Sequence, residues 1–291
     1  LPERKDAYKH PDSVLSEARS LLVLGMHYGA GQEAGPTSGT GRVARYAWGS
    51  TDYHDLIHQR LRQLKVFHQQ LLPDEMCRGV IDTAPLLEKD FAQRAGVGWI
   101  GKNTMLISRT EGSYFFLAVL LSTARLQYDV PIERDHCGGC KACLDACPTD
   151  AFPKPFVLDA SRCISYLTIE HREAIKDELK PGIGDWVFGC DICQDVCPWN
   201  HRGALSNERE FEAVDQHNRL NLRSLFTMDD EQFRSAFRKT PLWRTKRDGM
   251  LRNAAIALGN QRNREHLPLL QSALEQSQSE MVRDACIWAI E

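Results

Sequence analysis

The stretch CGGCKACLDACP at residues 137–148 decides the fold, together with GCDICQDVCP at residues 189–198. The first places four cysteines at the spacing C-x2-C-x2-C-x3-C-P, and the second adds three at C-x2-C-x3-C-P. Cys163 lies between them and raises the number to eight. Eight thiolates held by short turns are the ligand set of two [4Fe–4S] clusters. Zinc and a disulfide framework are the alternatives, and the double Cys-Pro closure with the x2-x2-x3 run disfavours zinc.

The cysteines divide between the clusters by a crossing rule. In two-cluster ferredoxins the fourth cysteine of each run binds the other cluster. The second run departs from that pattern, and Cys163 supplies the ligand that it lacks. This rule predicts one cluster on Cys137, Cys140, Cys143 and Cys197, and another on Cys147, Cys163, Cys190 and Cys193.

The composition is that of an ordinary globular protein of one or two domains, with 291 residues, 42% hydrophobic and 26% charged. Cysteines reserved for clusters predict a reducing, cytoplasmic environment. Neither a signal peptide nor an apolar run near 18 residues is present, so we expect no membrane segment. The chain begins at Leu1 rather than Met, from which we expect a shortened piece of a longer protein.

Charge is unevenly spread along the chain. Between Phe233 and Glu265 nine basic residues face only two acidic ones, so this segment carries +7 and the remainder −10. Such asymmetry favours a polyanionic partner. A solvated helical face would explain it equally well.

Residues 1–130 predict a domain of mixed helices and strands. The apolar runs LLVLGMHYG (21–29) and YFFLAVLLST (114–123) predict buried strands. A helix is expected to start near Asp52. A short strand should end at Asp82, followed by a turn and a helix to Ala95.

The glycines Gly96, Gly98 and Gly101 spell G-x-G-x-x-G. A dinucleotide site would need a strand before them, a helix after them and an acidic residue about 20 positions on. Here a predicted helix precedes and a predicted strand follows, so we reject that interpretation. Residues 30–42 are also Gly-rich and predict a loop. We expect the glycines to let the backbone approach another large flat or phosphorylated ligand.

The carboxyl-terminal region predicts helical repeats. MLRNAAIALGN (250–260) aligns with MVRDACIWAIE (281–291) at a period of 31 residues, which is typical of a HEAT-type solenoid. The predicted organisation is therefore α+β, with a catalytic domain at 1–130, a ferredoxin-like two-cluster domain at 131–205 and a helical region at 206–291.

Taken together, several stretches resemble the epoxyqueuosine reductase family, cobalamin- and iron–sulfur-dependent enzymes of queuosine biosynthesis in tRNA. They appear in family order from about residue 14 to the end, and roughly the first fifty residues of the family pattern are expected to be missing. The matching pieces are RYAWGSTDYH, VIDTAPLLEKDFAQRAGVGWIGKN, CGGCKACLDACPT, RCISYLTIEHR, FGCDICQDVCPWN and RNAAIALGN.

The resemblance implies a cobalamin-binding α/β catalytic domain related to nitroreductases and reductive dehalogenases. It implies reduction of epoxyqueuosine to queuosine at the wobble position of tRNA, with electrons from an external flavodoxin- or ferredoxin-type donor. We expect a monomer. The segment Asp52-Tyr53-His54 only partly matches the D-x-H-x-x-G cobalamin motif, because Ile57 replaces its glycine. We therefore expect cobalamin without a histidine ligand from the protein.

Asp82 is the proton donor that the resemblance implies, for which we expect a carboxyl group shielded from water and a raised pKa. A turn-capping aspartate is the alternative. The same resemblance suggests the other candidate binding residues. Cobalamin contacts, besides Asp82, are expected from Arg45, Tyr46, Gly98, Gly101, Lys102, Asn103, Ser161, Ile164, Ser165, Asp191 and Ile192.

Several of these contacts have other interpretations. Arg45 and Tyr46 could touch the tRNA instead, Lys102 could lie in a plain solvated turn, and Asp191 and Ile192 could support a cluster. For the tRNA we expect phosphate contacts from basic residues and an entrance for a flipped wobble nucleotide. The phosphate candidates are Arg244, Lys246, Arg247 and Arg252, and those for the entrance are His171 and Arg172.

Two other functions remain open at this point. The first is a cobalamin-dependent reductive dehalogenase of a small molecule, which the basic helical region disfavours. The second is a non-enzymatic ferredoxin-type electron carrier, which the ~130 residues ahead of the cysteines disfavour. Cobalamin binding and salt-sensitive tRNA binding would separate the three.

Overall fold

The computed structural model describes Tyr8, residues 10–29, Gly35, residues 37–201, Ser206 and residues 208–291. Of the Gly-rich loop predicted at 30–42, residues 30–34 and 36 lie outside them, and residues 40–42 form part of a strand instead. The strands of the described part are β1 (Ser20–His27), β2 (Thr40–Val43), β3 (Cys77–Val80), β4 (Trp99–Ile100), β5 (Leu106–Ile107), β6 (Phe115–Ser122), β7 (Trp186–Phe188) and β8 (Arg219–Asn221). Its α-helices are α1 (Tyr53–Leu71), α2 (Glu88–Arg94), α3 (Ala142–Asp145), α4 (Ile164–Ile169), α5 (Lys180–Ile183), α6 (Ile192–Asp195), α7 (Asp215–Asn218), α8 (Leu222–Thr227), α9 (Asp230–Phe237), α10 (Lys246–Gln261), α11 (Leu267–Gln276) and α12 (Glu280–Ile290).

The chain divides into two compact units. The first combines Leu1–Gly29, Tyr53–Lys141 and Cys197–Leu205, and the second Ala30–Asp52, Ala142–Val196 and Ser206–Glu291. Within the described residues, no helix is both long enough and apolar enough to cross a membrane.

The first unit is built on an antiparallel sheet with the order β1-β6-β3. In the central strand β6, Val119, Leu120 and Leu121 are fully buried. Both apolar runs form strands, as predicted. The expected burial holds for the second half of β6, whereas the apolar residues of the edge strand β1 are only partly buried. The helix expected near Asp52 is confirmed as α1.

The strand predicted to end at Asp82 ends two residues earlier. Its last partner in the sheet is Val119, opposite Val80. Ile81 remains buried, but Asp82 adopts a left-handed backbone with φ +53°, which a strand cannot continue through. Asp82 therefore lies in the loop between β3 and α2.

The glycine segment forms a β-hairpin rather than a strand–loop–helix unit, because β4 and β5 pair in antiparallel fashion. A Cβ atom at Gly98 would lie 2.3 Å from the Ile107 carbonyl oxygen, and one at Gly101 would lie 2.5 Å from the Ile107 side chain. These two glycines are thus required by packing inside the hairpin. The expectation that they make room for a ligand is not needed to explain them.

The second unit has a mixed sheet with the order β7-β2-β8, in which β2 is parallel to β7 and antiparallel to β8. Its core joins this sheet to α10 and α12, the helices that contain the two copies of the predicted repeat. The two helices approach closely at Gly259, where a Cβ atom would lie 2.8 Å from the Ala289 Cα atom. Helices and strands are mixed in the chain, as predicted.

Candidate active site and cluster ligands

Asp82 is surrounded by side chains from α1. The Tyr53 hydroxyl donates a hydrogen bond to its Oδ2 atom at 3.2 Å, and His54 Nε2 lies 3.3 Å from the same oxygen. Tyr53 is held by stacking on Phe116 of β6, with ring centroids 4.1 Å apart and planes 9° apart. The side chain of Asp82 is 46% exposed, so the prediction that it is shielded from water is wrong. The exposure follows from its place in a loop beyond the last pairing of β3.

Glu88, the first residue of α2, approaches the same loop. Its Oε1 atom accepts a hydrogen bond from the backbone N–H of Asp82 at 2.8 Å. Burial raises the pKa of Glu88 to about 7, the Asp82 N–H and the charge of His54 act in the opposite direction, and the negative charge of Asp82 adds to the rise. Two carboxyl groups that oppose each other's ionisation can keep a proton near neutral pH.

Three cysteines predicted for the first cluster lie in the first unit. Cys137 and Cys197 belong to an apolar cluster with Trp99 and Trp199, and Cys140 is exposed. Burial raises the pKa of the Cys197 thiol, and the sulfurs of Cys137 and Cys140 raise it further. Such thiols ionise readily only when a positive metal centre compensates their charge.

A tryptophan beside these cysteines has an N–H group that could donate a hydrogen bond to a cluster sulfur. Trp99 is 1% exposed, and its indole N–H has no hydrogen-bond acceptor among the described residues. A buried N–H group without an acceptor requires an explanation, and a bound ion or cofactor that accepts the hydrogen bond is one such explanation. The sulfur atoms of an iron–sulfur cluster held by Cys137 and Cys197 would supply an acceptor.

The second unit gathers the remaining cysteines. Burial raises the pKa of the Cys193 thiol, and repulsion from Cys163, Cys143 and Cys147 raises it further. Burial likewise raises the pKa of the Cys190 thiol, and repulsion from Cys193 and Cys163 adds to the rise. Cys163 is thus among the charges that act on both cysteines of the CDIC sequence, and its assignment to the same cluster stays a prediction.

The loop that carries Cys190 and Cys193 is fastened to β2 by charged groups. Asp191 is 2% exposed and accepts the backbone N–H of Arg45 at 2.7 Å. The Arg45 guanidinium also pairs with Asp191 and Asp195. Burial raises the pKa of Asp191 to about 7, against the opposing effect of Arg45. Arg45 and Asp191 thus support the cluster loop, and their polar groups are directed at each other.

Other predicted cobalamin contacts also have partners within the chain. Lys102 Nζ donates to the carbonyl oxygens of Gly138 and Cys140 at 2.5 and 2.9 Å, so it braces the first cysteine run. The Ser161 hydroxyl donates to Asp159. Asn103 is 3% exposed and Ile164 is 2% exposed. The half-buried members of the set are Tyr46, Ser165 and Ile192.

The predicted tRNA contacts lie in the second unit. A pocket of about 920 Å³ is lined by Arg172, Lys246 and Arg247, with Trp243 among its apolar residues. Lys246 Nζ lies 4.1 Å from the centre of the Trp243 ring. Acidic residues also line the pocket, so its charge is mixed. Of the other candidates, Arg244 pairs with Glu170 at 3.6 Å, and the His171 ring contacts the Ala174 carbonyl at 3.1 Å.

Arg252 is not available to a phosphate group, so its prediction as a phosphate contact is wrong. Its side chain is fully buried in α10. Its guanidinium donates to the carbonyl oxygens of His171, Glu173 and Leu167 at 2.9, 2.8 and 2.6 Å. The neighbouring Asn253 amide donates to two further carbonyls, so this pair fastens α10 to α4 and β7.

Three residues were missed as functional candidates: Tyr53, His54 and Glu88. All lie in stretches that carried the family resemblance, so that resemblance was the available signal. Tyr53 and His54 reach Asp82 from α1, a helix and a strand earlier in the chain, whereas Glu88 follows Asp82 by six residues.

Two cysteine runs at this spacing define the chain as a two-cluster iron–sulfur protein. In agreement, the family model described as 4Fe-4S double cluster binding domain matches residues 136–200. The model described as Epoxyqueuosine reductase QueG, DUF1730 matches residues 9–83. The chain belongs to the epoxyqueuosine reductase family.

Whole-length comparisons agree with this assignment. Epoxyqueuosine reductase of Pseudomonas aeruginosa is 45% identical over 250 residues, covering 85% of this chain and 68% of that protein. The Xanthomonas campestris protein is 38% identical over 295 residues, covering 100% and 82%. A crystal structure of epoxyqueuosine reductase with an epoxyqueuosine-modified tRNA stem loop superimposes with a TM-score of 0.90 at 31% identity, covering 98% of this chain and 76% of that one.

Proposed function

We propose that the chain reduces epoxyqueuosine to queuosine at the wobble position of tRNA. The observation that carries this proposal is Asp82 beside Tyr53 and His54 in a chain of this family. A structural relative is recorded with an epoxyqueuosine-modified tRNA stem loop, which supports the same substrate here. The contacts of Asp82 with Tyr53 and His54 support the proposal, since a general acid needs a carboxyl group held within reach of the reacting oxygen.

The reaction removes one oxygen atom. The epoxide gains two electrons and two protons, both of its C–O bonds break, a C=C bond forms, and the oxygen leaves as water. In our proposal Asp82 delivers the first proton to the opening oxygen, and water supplies the second. Tyr53 orients the carboxyl group, and His54 can hold or return a proton at its Oδ2 atom.

The clusters of this proposal use the cysteines assigned above. Cys137, Cys140, Cys143 and Cys197 would hold one, and Cys147, Cys163, Cys190 and Cys193 the other. The family model for a double cluster supports two clusters, while the division between them rests on spacing. An external flavodoxin- or ferredoxin-type protein would supply electrons one at a time.

Cobalamin is part of the proposal on the strength of the family. Bound cobalamin supplies the two-electron chemistry that single-electron clusters lack. The fit of the predicted contacts is partial, because Arg45, Lys102, Ser161 and Asp191 have polar partners within the chain. The other predicted contacts remain proposals for the cofactor: Asp82, Gly98, Gly101 and Asn103 of the first unit, and Tyr46, Ile164, Ser165 and Ile192 of the second.

For the tRNA, Arg244, Lys246 and Arg247 remain the proposed phosphate contacts, and His171 and Arg172 the proposed entrance for the wobble nucleotide. The functional division at residues 1–130, 131–205 and 206–291, a HEAT-type tail, a monomeric state and a cytoplasmic location also remain proposals. Each follows from sequence pattern or composition.

The deciding experiment is anaerobic reconstitution with iron, sulfide and cobalamin, followed by reduction and incubation with epoxyqueuosine-containing tRNA. Mass spectrometry of the nucleosides should show loss of one oxygen's mass that depends on cobalamin. Cobalt uptake without conversion would favour a reductase of a small molecule. Absence of cobalt uptake would favour the electron carrier.

A further inference from the structure

The loop that carries Asp82 needs an external support. At φ +53° Asp82 is in the left-handed backbone region, which disfavours residues other than glycine, asparagine or aspartate. Within the loop, the N–H groups of Thr83 and Leu86 bond to carbonyls only two residues earlier, at 2.5 and 2.8 Å. Such narrow turns constrain a loop weakly compared with a bond to a helix.

We propose that Glu88 is a positioning residue that fixes the Asp82 acid through the backbone N–H of that residue. The 2.8 Å hydrogen bond from Asp82 N to Glu88 Oε1 closes the loop across six residues. Glu88 belongs to a helix that is fixed by packing, because the next turn of α2 contains the fully buried Ala92. Leu86, immediately before the helix, belongs to the core with Val119 and Leu121.

The charges around Glu88 indicate a second effect on the same acid. Asp82 from the loop, His54 from α1 and Lys89 from α2 are the charged groups that act on its carboxyl group, and burial raises its pKa to about 7. Repulsion between two carboxylates is mutual. Glu88 is ionised mainly above pH 7, and there its negative charge opposes ionisation of Asp82 and so favours the protonated form that a proton donor needs.

The effect of Glu88 on catalysis rests on the proposed function. The effect of Glu88 on the loop does not, and it can be measured separately. Hydrogen–deuterium exchange of the peptide spanning residues 81–87 reports the closure of the loop directly. Glu88→Ala removes the acceptor and should accelerate exchange in this peptide. Glu88→Gln keeps an amide oxygen as acceptor and should leave exchange close to that of the wild type. Asp90→Asn, an exposed first-turn residue of the same helix, is the matched control.

The kinetic part is measured on reconstituted enzyme with epoxyqueuosine-containing tRNA. For Glu88→Ala we expect kcat to fall about tenfold or more, equivalent to about 1.4 kcal/mol, with an unchanged KM for tRNA. For Glu88→Gln, loss of the negative charge should move the alkaline limb of the kcat profile to lower pH. Asp90→Asn should change neither quantity.

The outcomes separate this inference from the proposed function. Unchanged exchange in Glu88→Ala, or faster exchange with unchanged kcat, would overturn the positioning role even if Asp82 is essential. An unshifted alkaline limb in Glu88→Gln would overturn the electrostatic part, and this variant decides the matter if the alanine variant does not fold. Full activity of Asp82→Asn would instead show that Asp82 is not the proton donor. The hydrogen-exchange result for the loop would still be valid.

Discussion

At the scale of single residues, Asp82 combines an uncommon backbone conformation with a carboxyl group that contacts the Tyr53 hydroxyl and the His54 ring. Asparagine tolerates the same left-handed backbone, so Asp82→Asn removes the acid with little effect on the loop. We expect turnover to fall by about 10²- to 10⁴-fold, the usual contribution of a general acid. Absorbance spectra of the clusters and of cobalamin should be unchanged. Turnover close to that of the Asp90→Asn control would contradict this role.

Glu88 should also make stability depend on pH. Its pKa is raised from 4.5 in the reference state to about 7 in the folded chain. The folded state therefore binds this proton more tightly, and the contribution is complete below about pH 4.5 and is lost as pH rises through 7. Glu88→Gln should therefore gain stability relative to the wild type between pH 5 and 8. Thermal unfolding of the holoprotein across this range measures the difference, and a flat difference would contradict the burial of Glu88.

At the scale of elements, the β4–β5 hairpin brings Trp99 to the cysteines of the first unit. Hydrogen bonds to cluster sulfurs stabilise the reduced state, which carries more negative charge. If the Trp99 N–H serves this purpose, Trp99→Phe should lower the potential of one cluster by about 40 mV, the equivalent of about 1 kcal/mol. Redox titration followed by electron paramagnetic resonance measures this shift. Trp243→Phe is the control, and equal potentials in both variants would contradict the assignment.

Helix α10 depends on a buried cation rather than on an apolar face alone. Arg252 satisfies three backbone carbonyls, and its pKa is lowered to about 10 by burial, so it stays charged at neutral pH. Arg252→Met leaves those carbonyls without donors and should lower the free energy of unfolding by about 3 kcal/mol. Denaturant unfolding measures this loss, with the exposed Arg223→Met as control. A loss of tRNA affinity without a loss of stability would restore the phosphate role.

These examples show which parts of the structure are readable in the sequence. The strands β1 and β6 are confirmed because continuous apolar runs favour a sheet, but full burial is reached only in β6, the central strand. Asp82 was identified because it stands in a family stretch, but its exposure and its contacts with Tyr53 and Glu88 depend on tertiary packing. Arg252 was misjudged because charge alone does not distinguish a buried arginine that bonds to carbonyls from one that faces solvent.

At the scale of the whole molecule, fewer of the positive charges between Phe233 and Glu265 are available to bind phosphate than the sequence indicates. Arg252 is buried, and Arg244 and Arg247 are close to carboxylates of Glu170 and Asp230. Exposed Lys246, which lies over Trp243, remains the most accessible of the four phosphate candidates. Recognition of tRNA should therefore rest on a few cations and an aromatic ring rather than on net charge.

This view makes a quantitative prediction for tRNA binding. Each phosphate contact contributes a slope of about −0.7 to −0.9 to the logarithm of the association constant against the logarithm of salt concentration. Lys246→Ala and Arg247→Ala should each reduce the slope by about this amount, whereas Arg252→Met should leave the slope of the folded fraction unchanged. Fluorescence anisotropy with a labelled anticodon stem loop at several salt concentrations measures these slopes. Lys154→Ala, an exposed lysine outside this region, is the control, and a slope unaffected by Lys246→Ala would place the RNA on another surface.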